Sequence, residues 1–413
     1  MRVLVLNGGS SSFKCWFRNM PEGPLPVEAP QPEWSAQADW SRHSGVADIR
    51  ITRGDGARVE RKMQVGSPVA VLEPVLESLW KGDAACLDAP SAIDVVGHRI
   101  VHGGPKYRSS TPLTAEVRAA IAREVEFAPA HNRFELEAVE TVDRVVGKGV
   151  LQVAAFDTGF HATLEPAAYV YAGPYEWLEQ GVRRYGFHGI SHQYATARAA
   201  ELLGRDARTL KIVTCHLGNG ASLAAVRGGK SVDTTMGFTP LEGLMMGTRS
   251  GSIDPGIVIY LLRHRGYTAE QLDRILNQES GLLGVSGVSG DMREIVQAMQ
   301  KGNERGQLAY DVFAHRLTRE IGAMLAVLGG LDALVFTAGI GENCAPLRET
   351  VCAGLGFVGL KLDSGSNANP KLDQDISAAE SLVRVLVIRA QEEWEIAREC
   401  RKLAGTRLSL QPG

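Results

Sequence analysis

Two glycine-rich turns carry the first chemical signal in this sequence. Asn7-Gly8-Gly9-Ser10-Ser11-Ser12 follows the apolar run Val3–Leu6. His216-Leu217-Gly218-Asn219-Gly220 follows a second apolar run, Leu210–Cys215. Backbone N–H groups in such turns can approach phosphate oxygens closely. In the first turn the serines add hydroxyl donors and Lys14 adds a cation. That turn is not a P-loop, because G-x-x-x-x-G-K-[ST] is missing. Nor is it a dinucleotide fingerprint, because a returning strand follows it instead of a helix. One such turn is more often an ordinary hairpin; two in one chain tilt the balance toward phosphate binding. Gly339-Ile340-Gly341-Glu342-Asn343 lies between a strand and a helix, which suits a ligand at a helix N-terminus. Gly287–Arg293 opens a further helix, and a plain capped helix start explains it equally.

Charged residues at strand ends are more telling. Arg99 follows an apolar strand within Gly97–Gly104, Asp157 ends one within Phe156–His161, and Arg249 lies in Gly247–Gly251. Ligands in open α/β sheets bind outside the carboxyl ends of strands. Each charge taken singly is as readily solvated or ion-paired. His98/His102 and His188/His192 are H-x-x-x-H pairs, but Arg99 and Gly189 follow their first histidines. Catalytic zinc asks for H-E-x-x-H and a third ligand, so donation to a phosphate fits better. A satisfied core histidine remains the alternative for His102 and His192. No G-x-S-x-G elbow supports a hydrolase triad.

These groups need a scaffold, and the chain is long enough for two or three domains at 413 residues. A formal net charge of -3 and 6% aromatics argue against nucleic acid as the main partner. The cysteines at 15, 86, 215, 344, 352 and 400 form no CxxC pair and read as scattered reduced thiols. No apolar stretch is long enough for a signal peptide or membrane span, so a cytoplasmic protein is expected. Val3–Leu6 and Phe13–Phe17 read as strand, glycine turn, strand, and Leu210–Cys215 and Leu223–Val226 repeat that unit. Residues 21–32 read as a loop and Thr114–Phe127 as a helix. Ile93–Val96, Val150–Phe156, Leu334–Phe336 and Val383–Ile388 read as further strands. Phe313, Leu317, Ile321, Met324 and Leu328 mark a long amphipathic helix, and a terminal helix starts near Gln391. The alternation predicts α/β architecture with mixed sheets.

Taken together, the motifs resemble the acetate kinase family of the sugar kinase/Hsp70/actin superfamily. They are Asn7–Lys14, Gly97–Gly104, Phe156–His161, Arg184–Gly189, His216–Ser222, Met236–Pro255, Gly281–Arg293 and Gly339–Asn343, in order along nearly the whole chain. The resemblance implies duplicated ribonuclease H-like (actin-like ATPase) domains with a cleft between them. Residues 1–157 with 390–413 would form the first, and 158–389 the nucleotide-binding second. It implies Mg2+-dependent, or Mn2+-dependent, phosphoryl transfer from ATP to a short carboxylate, giving an acyl phosphate and ADP, and a homodimer.

By the same resemblance, Arg99 binds the carboxylate, Arg249 stabilises the transferring group, and His188 donates to its equatorial oxygens. Asp157 is the catalytic carboxylate, expected to orient an arginine or the metal shell. His131 matches a further active-site histidine. Asn7 and Glu392 match the metal positions. Lys14, His216, Leu217, Gly218, Asn219, Gly220, Asp291, Met292, Arg293 and Gly339, Ile340, Gly341, Glu342, Asn343 match the nucleotide-binding segments. Val101, Ala130, Phe187 and Pro240 match the acyl pocket. Ala130 stands where the family usually has leucine, and Arg133 where it usually has proline. Ser252 and Gln391 are further departures. A deeper pocket would move preference from acetate toward propionate or butyrate, one methylene being worth about 1–3 kcal/mol. A nucleotide-binding sensor of the same fold without catalysis is the reading from another class; the retained Arg99, Asp157, His188 and Arg249 argue against it.

Overall fold

The computed structural model describes every residue except 10, 11, 44, 65–67, 125–128, 372 and 410–413. For residues 41–43, 68, 129–132 and 406–409 it describes the backbone only. The chain divides into two compact units, Met1–Gly159 with Gln391–Gly413, and Phe160–Ala390.

The first unit holds β1 (Arg2–Gly8), β2 (Ser12–Asn19), β3 (Trp34–His43), β4 (Val46–Arg53), β5 (Arg58–Gln64), β6 (Val95–Ile100), β7 (Thr111–Pro112) and β8 (Leu151–Phe156). They form one sheet in the order β5-β4-β3-β2-β1-β6-β8-β7. β1 to β5 run as an antiparallel meander, whereas β1, β6 and β8 are parallel. The parallel strands read as near-continuous apolar runs because both faces are covered. The terminal helix Glu392–Ser409 covers one face. Gly97 makes that approach close: a Cβ there would meet Cys400 Sγ at 2.5 Å and Ile396 Cγ2 at 2.6 Å. Leu4, Leu6, Phe13, Phe17, Trp34 and Ile51 form the heart of the core. β5 ends the sheet as Arg-Val-Glu-Arg-Lys-Met-Gln, a charged edge that discourages further pairing.

The second unit holds β9 (Lys211–Leu217), β10 (Ala221–Arg227), β11 (Lys230–Thr234), β12 (Ala333–Thr337), β13 (Gln374–Asp375) and β14 (Arg384–Val387), in the order β11-β10-β9-β12-β14-β13. Apart from β4 and β5, this is the first unit's scheme repeated. An antiparallel hairpin leads the chain, and two later strands add in parallel on the far side of its first strand. The expected strand–turn–strand repeat is thus one part of a whole-sheet duplication. The helix Glu304–Leu328 buries Phe313, Leu317, Ile321, Met324 and Leu328, as their spacing predicts, and packs on β9 and β10.

Three details differ from the sequence reading. The hairpins β3–β5 carried no expectation, because their alternation is interrupted by charges on the solvated face. The helix expected over Thr114–Phe127 is described as Ala115–Arg123, with Thr114 accepting from the Val117 N–H; residues 125–127 lie outside the described residues. Gly339–Asn343 lies between β12 and the helix Ala345–Gly354, as expected, but is itself the body of a short helix, Ala338–Asn343. Arg348, almost fully buried, donates to the carbonyls of Gly341 and Glu342 and so satisfies that helix's C-terminal end.

Candidate active site

In the first unit, β1, β6 and β8 lie side by side and parallel, so their carboxyl ends share one edge of the sheet. Asn7 and Arg99 are the penultimate residues of β1 and β6, and Asp157 directly follows β8. Arg99 Nε donates to both Asp157 carboxylate oxygens at 3.1 Å, and its Nη2 donates to Oδ2 at 2.5 Å. Nη1 makes longer contacts, 3.4 Å to Asn7 Oδ1 and 3.3 Å to the Gly8 carbonyl. The Asn7 amide donates to Glu392 Oε2 and to Glu393 Oε1, both at 2.9 Å. Glu392 and Glu393 sit in the first turn of the terminal helix, where the helix dipole favours carboxylates. Burial opposes the charge on Arg99, but Asp157 and Glu392 outweigh it and hold the guanidinium firmly protonated. Lys14 is exposed on β2, opposite Asn7 in register.

Glu135 completes this cluster without any signal in the sequence. It is almost fully buried, and both its oxygens lie 3.1 Å from the Val101 N–H. Burial pushes its carboxyl up to about 8 against the pull of that N–H and of Arg99. Burial thus favours its neutral form, and Asp157 and Glu392 are the carboxylates that hold the Arg99 charge. Val101 itself is buried. Ala130 and His131 lie on the helix Pro129–Val145, and their side chains lie outside the described residues.

In the second unit the corresponding edge is the carboxyl end of β9 and β12, where His216 pairs with Thr337. Gly218, Asn219 and Gly220 turn the chain from β9 into β10. The Gly247 N–H donates to the Asn219 carbonyl at 3.1 Å, which ties the Arg249 loop to this turn. Arg249 Nη1 reaches the Pro240 carbonyl at 3.4 Å. A Cβ at Gly220 would stand 3.2 Å from His188 Nε2 and 3.5 Å from Arg249 Nη1. That glycine is therefore where both groups converge. His188 caps the helix Gly189–Leu202 with a left-handed φ of 56°, a conformation that costs a non-glycine residue energy. Its ring stacks on His216, centroids 4.2 Å apart. Arg184 supports the approach, its Nη1 donating at 3.0 Å to the carbonyls of Thr234, Thr235 and Met236. Phe187 is buried and Pro240 half-buried.

The other matched segments fall near the same edge or on short turns. Ala338, with a φ of 64°, faces Gly218, and Gly341 packs on the β9 end. Asp291 caps the helix Met292–Gln300 by accepting from the Arg293 N–H at 2.9 Å, and it pairs with the exposed Arg293 side chain. Ile340, Glu342 and Asn343 lie on the short helix; Glu342 accepts from the Ala390 N–H, and Asn343 donates to the Gly339 carbonyl. Sequence reasoning missed Glu135, Glu393 and Arg348 as supporting groups, and carried Arg184 only as the first residue of the matched segment Arg184–Gly189. Only the adjacency of Glu393 to Glu392 could have flagged one of them.

Both histidines of the first H-x-x-x-H pair have hydrogen-bond partners within the protein. His98 Nε2 bonds Gln152 Oε1 at 2.8 Å, and His102 Nδ1 accepts from the Gly104 N–H at 2.9 Å. Burial lowers both to about 4. Among the described residues no group of three or more His, Cys, Asp and Glu could cage a metal ion. Asn7, Glu392, Glu393 and Asp157 nonetheless offer hard oxygens whose negative charge exceeds that of Arg99. This suits a magnesium ion that keeps most of its water and takes few protein ligands.

The model of the acetokinase family matches residues 2–398. An acetate kinase of Gloeobacter violaceus is 56% identical over 400 residues, covering 97% of this chain and 98% of that one. The crystal structure of Porphyromonas gingivalis acetate kinase superposes with a TM-score of 0.87 at 40% identity, covering 98% of this chain and 99% of that one. A propionate kinase structure from Francisella tularensis gives a TM-score of 0.87 at 34% identity, covering 97% and 99%. The actin-like ATPase fold of the two sheets, Arg99 at a strand end and these likenesses agree. The chain belongs to the acetokinase family, and its chemistry is phosphoryl transfer of the acetate kinase type.

Proposed function

We propose that this chain transfers the γ-phosphoryl group of ATP to acetate, reversibly, with Arg99 and Arg249 as the principal cations. The observation that carries the assignment of residues is the mounting of Arg99. A carboxylate partner fixes one edge of its guanidinium, Nε with Nη2, while Nη1 holds only long contacts that a substrate carboxylate can replace at little cost. A bidentate or near-bidentate arginine contact is the favoured way to orient a carboxylate.

An acetate oxygen attacks the γ-phosphorus, the new O–P bond forms, and the bond to the bridging oxygen of ADP breaks. The carboxylate is already ionised at neutral pH, so no general base is required. Catalysis is then positioning and charge stabilisation. Asp157 holds Arg99 in place and does not need to accept a proton. His188 and Arg249, converging on Gly220, supply donors for the transferring oxygens. The glycine turns at 216–220 and the segments at 291–293 and 339–343 take the nucleotide, and Lys14 adds a cation near Asn7. Asn7 and Glu392 are the residues that would hold Mg2+, partly through water. When bound, the ion supplies neutralisation of phosphate charge. His131 is assigned to the same site by its sequence match, and Val101, Ala130, Phe187 and Pro240 to the acyl group.

Acetate is the first substrate, and propionate or butyrate the second reading, favoured by Ala130 in place of leucine. Incubation with Mg-ATP and each acid, with hydroxylamine trapping of acyl phosphate, tests both. Trapped product ranked by kcat/KM identifies the acid. No product from protein that binds ATP would move the assignment to a nucleotide sensor.

The chain acts as a homodimer in this reading. Ile257, Ile259, Tyr260 and Leu262 are 42–48% exposed on the single helix Pro255–His264, an apolar surface suited to a second copy. Sedimentation at micromolar concentration checks it. No helix among the described residues is long and apolar enough to cross a membrane. The described cysteines are all unpaired, which supports a cytoplasmic setting.

A further inference from the structure

Behind His188 lies a line of buried groups that the reaction itself does not use. His188 Nδ1 is 2.9 Å from Ser222 Oγ, and the same oxygen is 2.8 Å from His192 Nε2. His192 Nδ1 is in turn 2.7 Å from Thr214 Oγ1. Thr214, Ser222 and His192 are all fully buried. Each atom in this line is both a possible donor and a possible acceptor, so its direction follows from counting protons.

Only one direction satisfies every group. His192 is neutral, because burial drives its pKa well below the ordinary value. It therefore carries one proton and accepts at its other nitrogen. Among the described residues, His192 Nδ1 is the partner of the Thr214 hydroxyl. If Thr214 donates to it, His192 holds its proton on Nε2 and donates to Ser222. The Ser222 hydroxyl then donates to His188 Nδ1, and neutral His188 carries its proton on Nε2. If the line ran the other way, the Thr214 proton would be left in a dry interior without an acceptor, at about 1–3 kcal/mol. A neighbouring ring follows similar logic. His161 Nε2 lies 3.1 Å from the Phe187 carbonyl, which can only accept, so that nitrogen carries the proton and Nδ1 accepts from Ser231.

We propose that Thr214, His192 and Ser222 are positioning residues that fix His188 in its Nε2–H tautomer. The donor proton then points to the place beside Gly220 where Arg249 Nη1 also arrives. The relay does more than hold the ring. A proton added at Nδ1 would face the Ser222 proton, so the imidazolium forms only if the whole line reverses. The titratable and charged groups set around the ring are His192 on its own helix, His216 stacked from β9, and Arg249 from its loop. The inference rests on His188 as the donor to the transferring phosphoryl group, but the relay can be read without turnover.

Histidine-labelled protein, examined by two-bond nitrogen–proton correlation NMR with His188→Gln to assign the signal, reports the tautomer directly. The expected result for the unaltered protein at neutral pH is His188 protonated on Nε2, with Nδ1 an acceptor. Thr214→Val keeps the side-chain shape and removes the first donor. It should give a mixed His188 tautomer and a kcat lower by about 10–100-fold, the usual cost of losing a group that fixes a histidine's orientation. KM for ATP and for the acid should hold, and the acid side of the pH profile should move. Thr214→Ser should restore all of these. A His188 protonated on Nδ1 in the unaltered protein overturns the proposal. So does a folded Thr214→Val with the original tautomer and pH profile. If Thr214→Val does not fold, the measurement on the unaltered protein decides. Absence of trapped acyl phosphate would refute the kinase reading while leaving the tautomer result to stand or fall by itself.

Discussion

Glu135→Gln should make the first unit more stable in alkali and leave it unchanged in acid. The Glu135 side chain is buried beside Val101 and its carboxyl is pushed up to about 8 from an ordinary 4.5. The folded chain thus keeps a proton that the unfolded chain releases. Stability must fall as pH rises from about 4.5 toward 8, since the native state binds more protons in that window. At about 1.4 kcal/mol per pKa unit, the full effect above pH 8 is bounded at about 5 kcal/mol. Glutamine imitates the neutral acid: its carbonyl oxygen still accepts from the Val101 N–H, and it does not titrate. The variant should match the unaltered protein near pH 5 and exceed it near pH 9. At about 2–4 °C per kcal/mol for a unit of this size, the gain in Tm at pH 9 is bounded at about 10–20 °C. Calorimetry of both proteins at pH 5, 7 and 9 reads it. A loss of stability of the same size at every pH would refute the reasoning, because it would mean that Glu135 is ionised and paired with Arg99.

Arg249→Ala should lower kcat by about 10³-fold or more with ATP still bound, since such cations act on charge developed in the transition state; near-normal kcat would remove Arg249 from the site. Gly220→Ala keeps the backbone but places a methyl group 3.2 Å from His188 Nε2 and 3.5 Å from Arg249 Nη1. Turnover should fall while the melting temperature barely changes, and unchanged turnover would mean that those tips do not work there. Ala130→Leu should raise the preference for acetate over butyrate, and an unchanged kcat/KM ratio would take Ala130 out of the acyl pocket. Burial holds His98, His102 and His161 near 4 against an ordinary 6.5. The unfolded chain then binds more protons, and stability should fall as pH drops from 6.5 toward 4. His98→Gln, which can still donate to Gln152, should flatten that slope in a melting series; the same slope would show that His98 is charged when folded.

Sequence alone determined the backbone turns and the charges that chemistry requires at strand ends. Asn7, Arg99 and Asp157 were legible because each closes an apolar run with a polar residue, a pattern set by local periodicity. The long helix with Phe313, Leu317 and Ile321 on one face was legible for the same reason. So was the duplication, through its two glycine turns. Tertiary structure decided which of these meet. Arg99 and Asp157 are 58 positions apart, and Asn7 and Glu392 are 385 apart. Only the parallel pairing of β1, β6 and β8 and the docking of the terminal helix bring them together. Glu135 carried no signal along the chain, and burial is what favours its neutral form. Thr214, Ser222 and His192 looked like strand and helix interior, and their order as a relay exists only where β9, β10 and the helix Gly189–Leu202 pack. Periodicity is a property of neighbours along the chain, whereas a carboxyl's protonation and a histidine's tautomer depend on neighbours across space.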